Sequence, residues 1–267
     1  MRRATALAFS AVVLPSVLAL GACTSSSSGA SNPAPTSAAG TAGSATGAAP
    51  GSTGAAGTSS NIGLTSSQLI SGITSAAQSA TALQVKGKMV AGGQSITLDL
   101  NLNQNSGSGS IAEGGTTIPV IAVGGVSYFQ FTPGVISMIG QDPTSALMKP
   151  VVGKWVSSTG QLGASIGSSF GSFTSLSQFR TLLTTVTTGT AAYKGQATVD
   201  GQAVAVYASV DSSGSAPATT DIDIPLSGPA LPVRINGTGP NAGTLDLVWN
   251  KPTVVTAPSP SQLYTGD

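Results

Sequence analysis

The sequence predicts an α+β domain built on a long antiparallel sheet, set behind an N-terminal leader and a tether. Three observations predict it. Apolar and polar residues alternate strictly through Ile96-Thr97-Leu98-Asp99-Leu100-Asn101-Leu102, the period of a strand buried on one face. The pairs Gly92-Gly93, Gly114-Gly115 and Gly124-Gly125 punctuate short β-prone runs, as in a meander. Two segments with helical spacing each precede a block of strands.

The elements follow in order. Thr65-Ser66-Ser67-Gln68 reads as a capping box. Leu69, Ile70, Ile73, Ala77, Ala80 and Leu83 then recur at helical spacing, which predicts a helix over 65–82. Strands are expected over 85–90, 96–102, 108–113, 117–123 and 126–132. Pro133-Gly134 breaks the pattern. Residues 135–139 and 143–148 read as helical turns, and Lys154-Trp155-Val156 as a brief strand. Residues 162–173 read as a Gly/Ser-rich loop carrying Ile166, Phe170 and Phe173. Ser175-Leu176-Ser177-Gln178 is a second capping box, and Leu176, Phe179, Leu182, Leu183 and Val186 make an apolar stripe after it. Asp200-Gly201, between runs at 191–199 and 202–210, is a hairpin turn signal. Further strands are expected over 221–226, 231–236 and 244–250, before a Pro-rich tail. A sheet of this length must cover one face, so the helices are expected in its concave side.

The N-terminus carries its own signal. Arg2 and Arg3 precede an apolar run over 4–20, and small residues follow, which reads as a secretory signal peptide. The run is short for a membrane span and holds Pro15. Leu20-Gly21-Ala22-Cys23 resembles a bacterial lipobox, and Cys23 is the sole cysteine. The resemblance implies acylation of the Cys23 thiol, cleavage before it, and anchoring on the outer face of the cell membrane. Residues 24–60 are Ser, Gly, Ala, Thr and Pro with one Asn, without charge or large apolar side chains. Such a segment cannot offset its ordering entropy and reads as a disordered tether of roughly 30–36 Å r.m.s. span. The expected layout is therefore 1–22 signal peptide, 23–60 anchor and tether, 61–258 folded domain and 259–267 tail.

Composition narrows the function. Charged residues are 7% of the chain and hydrophobic residues 40%. The ten Lys and Arg, less Arg2 and Arg3, leave eight against nine Asp and Glu. Eight dispersed cations assemble no basic patch, which argues against nucleic acid as a partner. There is no histidine, so the usual general base and transition-metal ligand are missing and no Ser-His-Asp triad can form. Nothing points to an enzyme, a cofactor or a resident metal. Asp221 and Asp223 share a strand face by their spacing and in principle suit a hard cation, although a solvated face is the plainer reading.

Several segments resemble a known family. Leu83-Gln84-Val85-Lys86-Gly87-Lys88 is similar to its passage from first helix to first strand. Gly125-Val126-Ser127-Tyr128 with Gly153-Lys154-Trp155-Val156 resembles its central G-x-x-Y and K-W signature. Asp200-Gly201-Gln202, Leu231-Pro232-Val233, Leu247-Val248-Trp249 and Val254 resemble its closing strands and tail. The family is the LppX/LprG-type lipoproteins of actinobacteria, related in fold to the LolA/LolB carriers.

The resemblance implies a half-barrel sheet with helices in its mouth, enclosing an apolar cavity, in a protein that carries acylated lipids or glycolipids within the cell envelope. Candidate lining residues are Ile96, Leu98, Leu100 and Leu102 on the alternating strand. Phe129 and Phe131 join them, with Ile136, Met138, Ile139, Phe170, Phe179 and Leu183 from the helical parts. The bland alternative is that these residues pack into a solid core. The chain would then be a structural or interaction lipoprotein that modulates a membrane or cell-wall partner. Trp155 and Trp249 read as packing anchors. Lys86, Lys88 and Arg180 read as a solvated face before they read as contacts to a lipid head group.

Overall fold

The computed structural model describes residues 60–91, 93–186, 190–211, 218–239 and 242–266. The chain divides into two units, Met1–Gly57 and Thr58–Asp267, and the described residues all belong to the second. The leader, Cys23 and nearly all of the expected tether lie outside the described residues.

Helix α1 (Ser66–Ser79) opens the domain. Its capping box forms as expected, with the Thr65 hydroxyl accepting from the Gln68 amide and the Gln68 side chain accepting from the Thr65 amide. The helix stops three residues short of the expected end because Ala80 turns extended at φ −68° and ψ 143°. The freed residues lengthen strand β1 (Ala82–Ala91). A meander follows through β2 (Gln94–Asn103), β3 (Gly107–Glu113), β4 (Thr116–Val123) and β5 (Val126–Gln130). Thr132 caps α2 (Pro133–Met138), with Pro133 in the first turn where its missing N–H costs nothing. Strand β6 (Trp155–Ser157) closes the first block.

Residues 162–173 correct the expectation of a loop. They form α3 (Gln161–Phe170) and a 3-10 turn at Gly171–Phe173. The physical reason is a stripe of Leu162, Ile166 and Phe170 at i, i+4, i+8, which gains burial that outweighs the poor helix propensity of Gly and Ser. The small residues are needed: a Cβ on Gly163 would collide with the Ser157 carbonyl oxygen. Helix α4 (Leu176–Val186) follows, with the Ser175 hydroxyl accepting from the Gln178 amide.

The second block is β7 (Ala191–Val199), β8 (Gln202–Asp211), β9 (Ala218–Pro225), β10 (Arg234–Gly237) and β11 (Gly243–Trp249). Asp200 and Gly201 both take positive φ, at 50° and 83°, as the expected hairpin turn requires. All eleven strands join one antiparallel sheet in the order β6-β5-β4-β3-β2-β1-β11-β10-β9-β8-β7. The first and last strands therefore pair at its centre. The sheet is not closed, and β6 and β7 are its edges. The β6 edge is covered by the tail, where the Tyr264 amide donates to the Trp155 carbonyl at 2.9 Å and Lys154 donates to the Ser261 carbonyl.

One face of this sheet is continuously apolar. Directly paired residues run Ile118, Ile111, Leu98, Gly87, Leu245, Ile235, Ile222 and Tyr207 across eight strands. At Gly87, φ is +146° and a Cβ would strike the Thr244 carbonyl oxygen, so β1 and β11 approach closely at the sheet's centre. Helices α2, α3 and α4 pack on that face with residues from eight strands, β1–β6, β10 and β11, in one core. A flat array of eight strands would span roughly 34 Å. The helices lie within that span and share one connected core with all eight. Helix α1 covers the other wing, where Leu69 and Ile73 pack on Ala205, Tyr207, Ile222 and Ile224. Tyr207 also ties down the start of the domain, donating to the Asn61 carbonyl at 2.7 Å and accepting from the Leu64 amide at 2.8 Å.

Candidate functional site

The alternation along β2 puts Ile96, Leu98, Leu100 and Leu102 on the inner face, and all four are buried. Phe129 and Phe131 are fully buried beside them. Val120 and Val156 flank Phe129 in register, which settles that this face of β5 points inward. Ile136 of α2, Phe170 of α3, and Phe179 and Leu183 of α4 complete the cluster from above. Met138 and Ile139 are only partly buried and pack against its rim. The structure thus gathers ten of the twelve candidate residues in one apolar interior and sets Met138 and Ile139 against it. Trp249 serves as an anchor, its indole N–H donating to the Pro232 carbonyl at 2.6 Å.

A crevice of about 180 Å³ opens between α1 and α4. Ile73 and Ala77 line it from the α1 core, and Leu183 from the α4 core, with Thr74, Gln78, Arg180 and Thr181 around them. It lies at the seam between the two apolar clusters. Arg180 there is committed to the fold. Its Nε donates to the Ala77 carbonyl at 2.8 Å, and its Nη2 to those of Ala80 at 2.6 Å and Gln78 at 3.2 Å. Ala77 and Gln78 lie in the last turn of α1 and Ala80 is its C-cap, where carbonyls run short of helical partners.

The outer face of the sheet carries a feature whose full extent only register reveals. Asp99, Lys86, Asp246, Arg234 and Asp223 stand directly opposite one another on β2, β1, β11, β10 and β9. Their charges alternate. Lys86 lies 3.4 Å from Asp99, and Arg234 Nε donates to Asp246 at 2.6 Å. Arg234 also reaches Asp200 of the β7–β8 turn at 3.2 Å. The hydrogen bond that Arg234 donates to Asp246 raises the Arg234 pKa above its ordinary value. The ladder ends at Asp223, which is 7% exposed and has neither a hydrogen bond nor an ion pair among the described residues. Burial, and then the charge of Asp221, push the Asp223 carboxyl above the ordinary aspartate value.

A groove of about 590 Å³ lies over this end of the ladder. Asp221, Asp223, Arg234 and Lys194 line it, with Gly195, Gln196, Val206, Asn236 and Thr244. Lys194 donates to Asp221 Oδ2 at 2.9 Å, while Asp221 Oδ1 is inaccessible to solvent and has no hydrogen-bond partner among the described residues. Asp221 and Asp223 do share a face, as their spacing predicts. Among the described residues no group of three His, Cys, Asp or Glu comes together as metal ligands. The same residues hold no helix long and apolar enough to cross a membrane.

No protein-family model matches the chain, and no curated protein matches it. Solved structures do. The crystal structure of LprF from Mycobacterium bovis is 12% identical with a TM-score of 0.47, covering 73% of this chain and 97% of that one. The Mycobacterium tuberculosis lipoprotein LppX is 13% identical with a TM-score of 0.44, covering 70% and 96%. MucB of Pseudomonas aeruginosa, solved with MucA, is 12% identical with a TM-score of 0.33, covering 75% and 61%. LppX is a mycobacterial lipoprotein of the kind that the sequence segments resemble.

Proposed function

We propose that the chain is an envelope lipoprotein, anchored through acylated Cys23 on the outer face of the membrane, that takes up an acyl chain of a lipid or glycolipid between its helices and its sheet. It carries or retains that lipid and performs no reaction on it. The observation that carries this reading is the crevice at the α1–α4 seam, whose Ile73, Ala77 and Leu183 lead from the surface to both apolar clusters. Its volume of about 180 Å³ is below the ~300 Å³ at which ligand pockets begin, so α1 and α4 must part to admit a chain. Each methylene then buried contributes about 0.8 kcal/mol.

The second reading is an interaction lipoprotein with a filled core, and it too has a specific observation behind it. Leu98, Leu100, Phe129, Phe131 and Ile136 are all at most 1% exposed, as in a closed interior. Native mass spectrometry of the Cys23→Ala form, which lacks the anchor's own acyl mass, separates the two. The carrier reading expects a co-purified lipid and uptake of a fluorescent acyl lipid. Bare protein that takes up no acyl lipid would leave the interaction reading in place.

A further inference from the structure

The outer-face groove is independent of the apolar interior. Its floor has more acceptors than donors. Lys194 is engaged by Asp221 Oδ2, and Arg234 by Asp246 and Asp200. Among the described residues Asp221 Oδ1 is buried without a hydrogen-bond partner, and the largely buried Asp223 carboxylate forms no direct hydrogen bond or ion pair, with Arg234 and Lys194 acting on it only through space. A buried acceptor without a partner is costly, and the cost is larger for a charged group. In the cross-strand ladder Asp99 and Asp246 each form an ion pair, whereas Asp223, opposite Arg234 in register, forms none among the described residues. The next position in register beyond Asp223 is Val206, which is uncharged, and the groove opens over it.

We propose that this groove is a binding site for a primary ammonium group, seated on Asp223 so that it forms the direct ion pair that this end of the ladder lacks. A primary ammonium has three donors on one charge and can serve both oxygens of the Asp223 carboxylate at once. A divalent metal ion fits less well, since two carboxylates converge without a third acidic ligand among the described residues and Lys194 stands beside them. The ammonium can belong to a free diamine or to the lysine side chain of a peptide, two sources with the same chemistry. Lys194 acts as the internal competitor, because its own ammonium already holds Asp221 Oδ2.

The test is calorimetric titration of the full chain with 1,5-diaminopentane, with Nα-acetyl-lysine amide and with calcium chloride. Lipid uptake plays no part in it, so its failure is separate from failure of the carrier reading. The wild type should bind at least one of the two amines, and whichever binds more tightly identifies the source. Asp223→Asn should weaken that binding roughly ten- to a hundredfold, the loss of one charge-assisted hydrogen bond. Lys194→Ala, at an exposed edge-strand position, should tighten it. The lysine variant keeps the test sharp if Asp223→Asn does not fold. Absence of amine binding in both wild type and Lys194→Ala would overturn the proposal. So would calcium binding in preference to both amines, or amine affinity that neither variant changes.

Discussion

The Arg180 guanidinium closes the C-terminus of α1 from the neighbouring helix, donating through Nε to the Ala77 carbonyl at 2.8 Å. The helix has no basic residue in its own last turn, so α4 supplies the cap that α1 lacks. This contact joins the two apolar clusters across the crevice. Arg180→Met keeps much of the stem and removes the donors. It should destabilise the domain by about 1.5–3 kcal/mol, as loss of hydrogen bonds from a charged group does. Urea unfolding measures this. Arg180→Lys should recover only part of it, because an ammonium cannot reproduce the planar fork. Native stability in Arg180→Met would show that the cap is idle.

Asp223 should make stability depend on pH in an unusual direction for an aspartate. Its folded pKa is raised above the ordinary 3.8 by burial and by Asp221. A raised acid favours folding below the unfolded value, and that contribution is lost as pH rises through the folded value. At pH 7 the ionised carboxylate therefore opposes folding. Asp223→Asn should raise the melting temperature at pH 7, and the gain should shrink to nothing as pH falls below about 4. A variant less stable than the wild type at pH 7 would contradict this.

Gly87 holds the centre of the sheet. With φ at +146° and the Thr244 carbonyl in the way of a Cβ, Gly87→Ala must strain the backbone and push β11 off β1. Backbone strain alone costs about 1–3 kcal/mol, and the collision adds to it. Thermal unfolding should show a loss well beyond that of Ala112→Gly, a strand position without such a contact.

These features differ in how far the sequence shows them. The alternation of 96–102 displays its buried face without help, since a strand's period is local. Gly/Ser-rich α3 stays hidden because its helix rests on burial of Leu162, Ile166 and Phe170 against parts of the fold distant in sequence. Asp221 and Asp223 are visibly on one face, but their neighbours are not visible. The ladder through Arg234, Asp246 and Lys86 depends on β11 pairing with β1, a contact between opposite ends of the domain. Arg180 reads as a surface cation until α1 is docked beside it. The twelve apolar candidates are legible in the sequence as inward-facing side chains, ten of them buried and Met138 and Ile139 partly so, and register decides which face of β5 joins them.

Membrane attachment should depend on Cys23, the only thiol available for a thioether. Cys23→Ala should leave the membrane fraction or remain as uncleaved precursor. A processed and still membrane-bound variant in fractionation would sink the lipobox reading.

The last prediction separates the crevice from the solid interior. Leu100 is 0% exposed at the centre of the core, whereas Leu183 lines the crevice and is 3% exposed. Leu100→Trp must force its way among packed side chains and should cost about 1–3 kcal/mol. Leu183→Trp can extend the ring into space beside Ile73 and Ala77, so its stability should stay near that of the wild type. If acyl chains enter at this seam, the same ring blocks them, and uptake of a fluorescent acyl lipid should fall sharply in Leu183→Trp. Thr97→Trp, on the outer face of β2, is the control and should leave uptake unchanged. Undiminished uptake in a stable Leu183→Trp protein would place the entrance elsewhere. A loss of stability as large as that of Leu100→Trp would show that the seam is packed as tightly as the core.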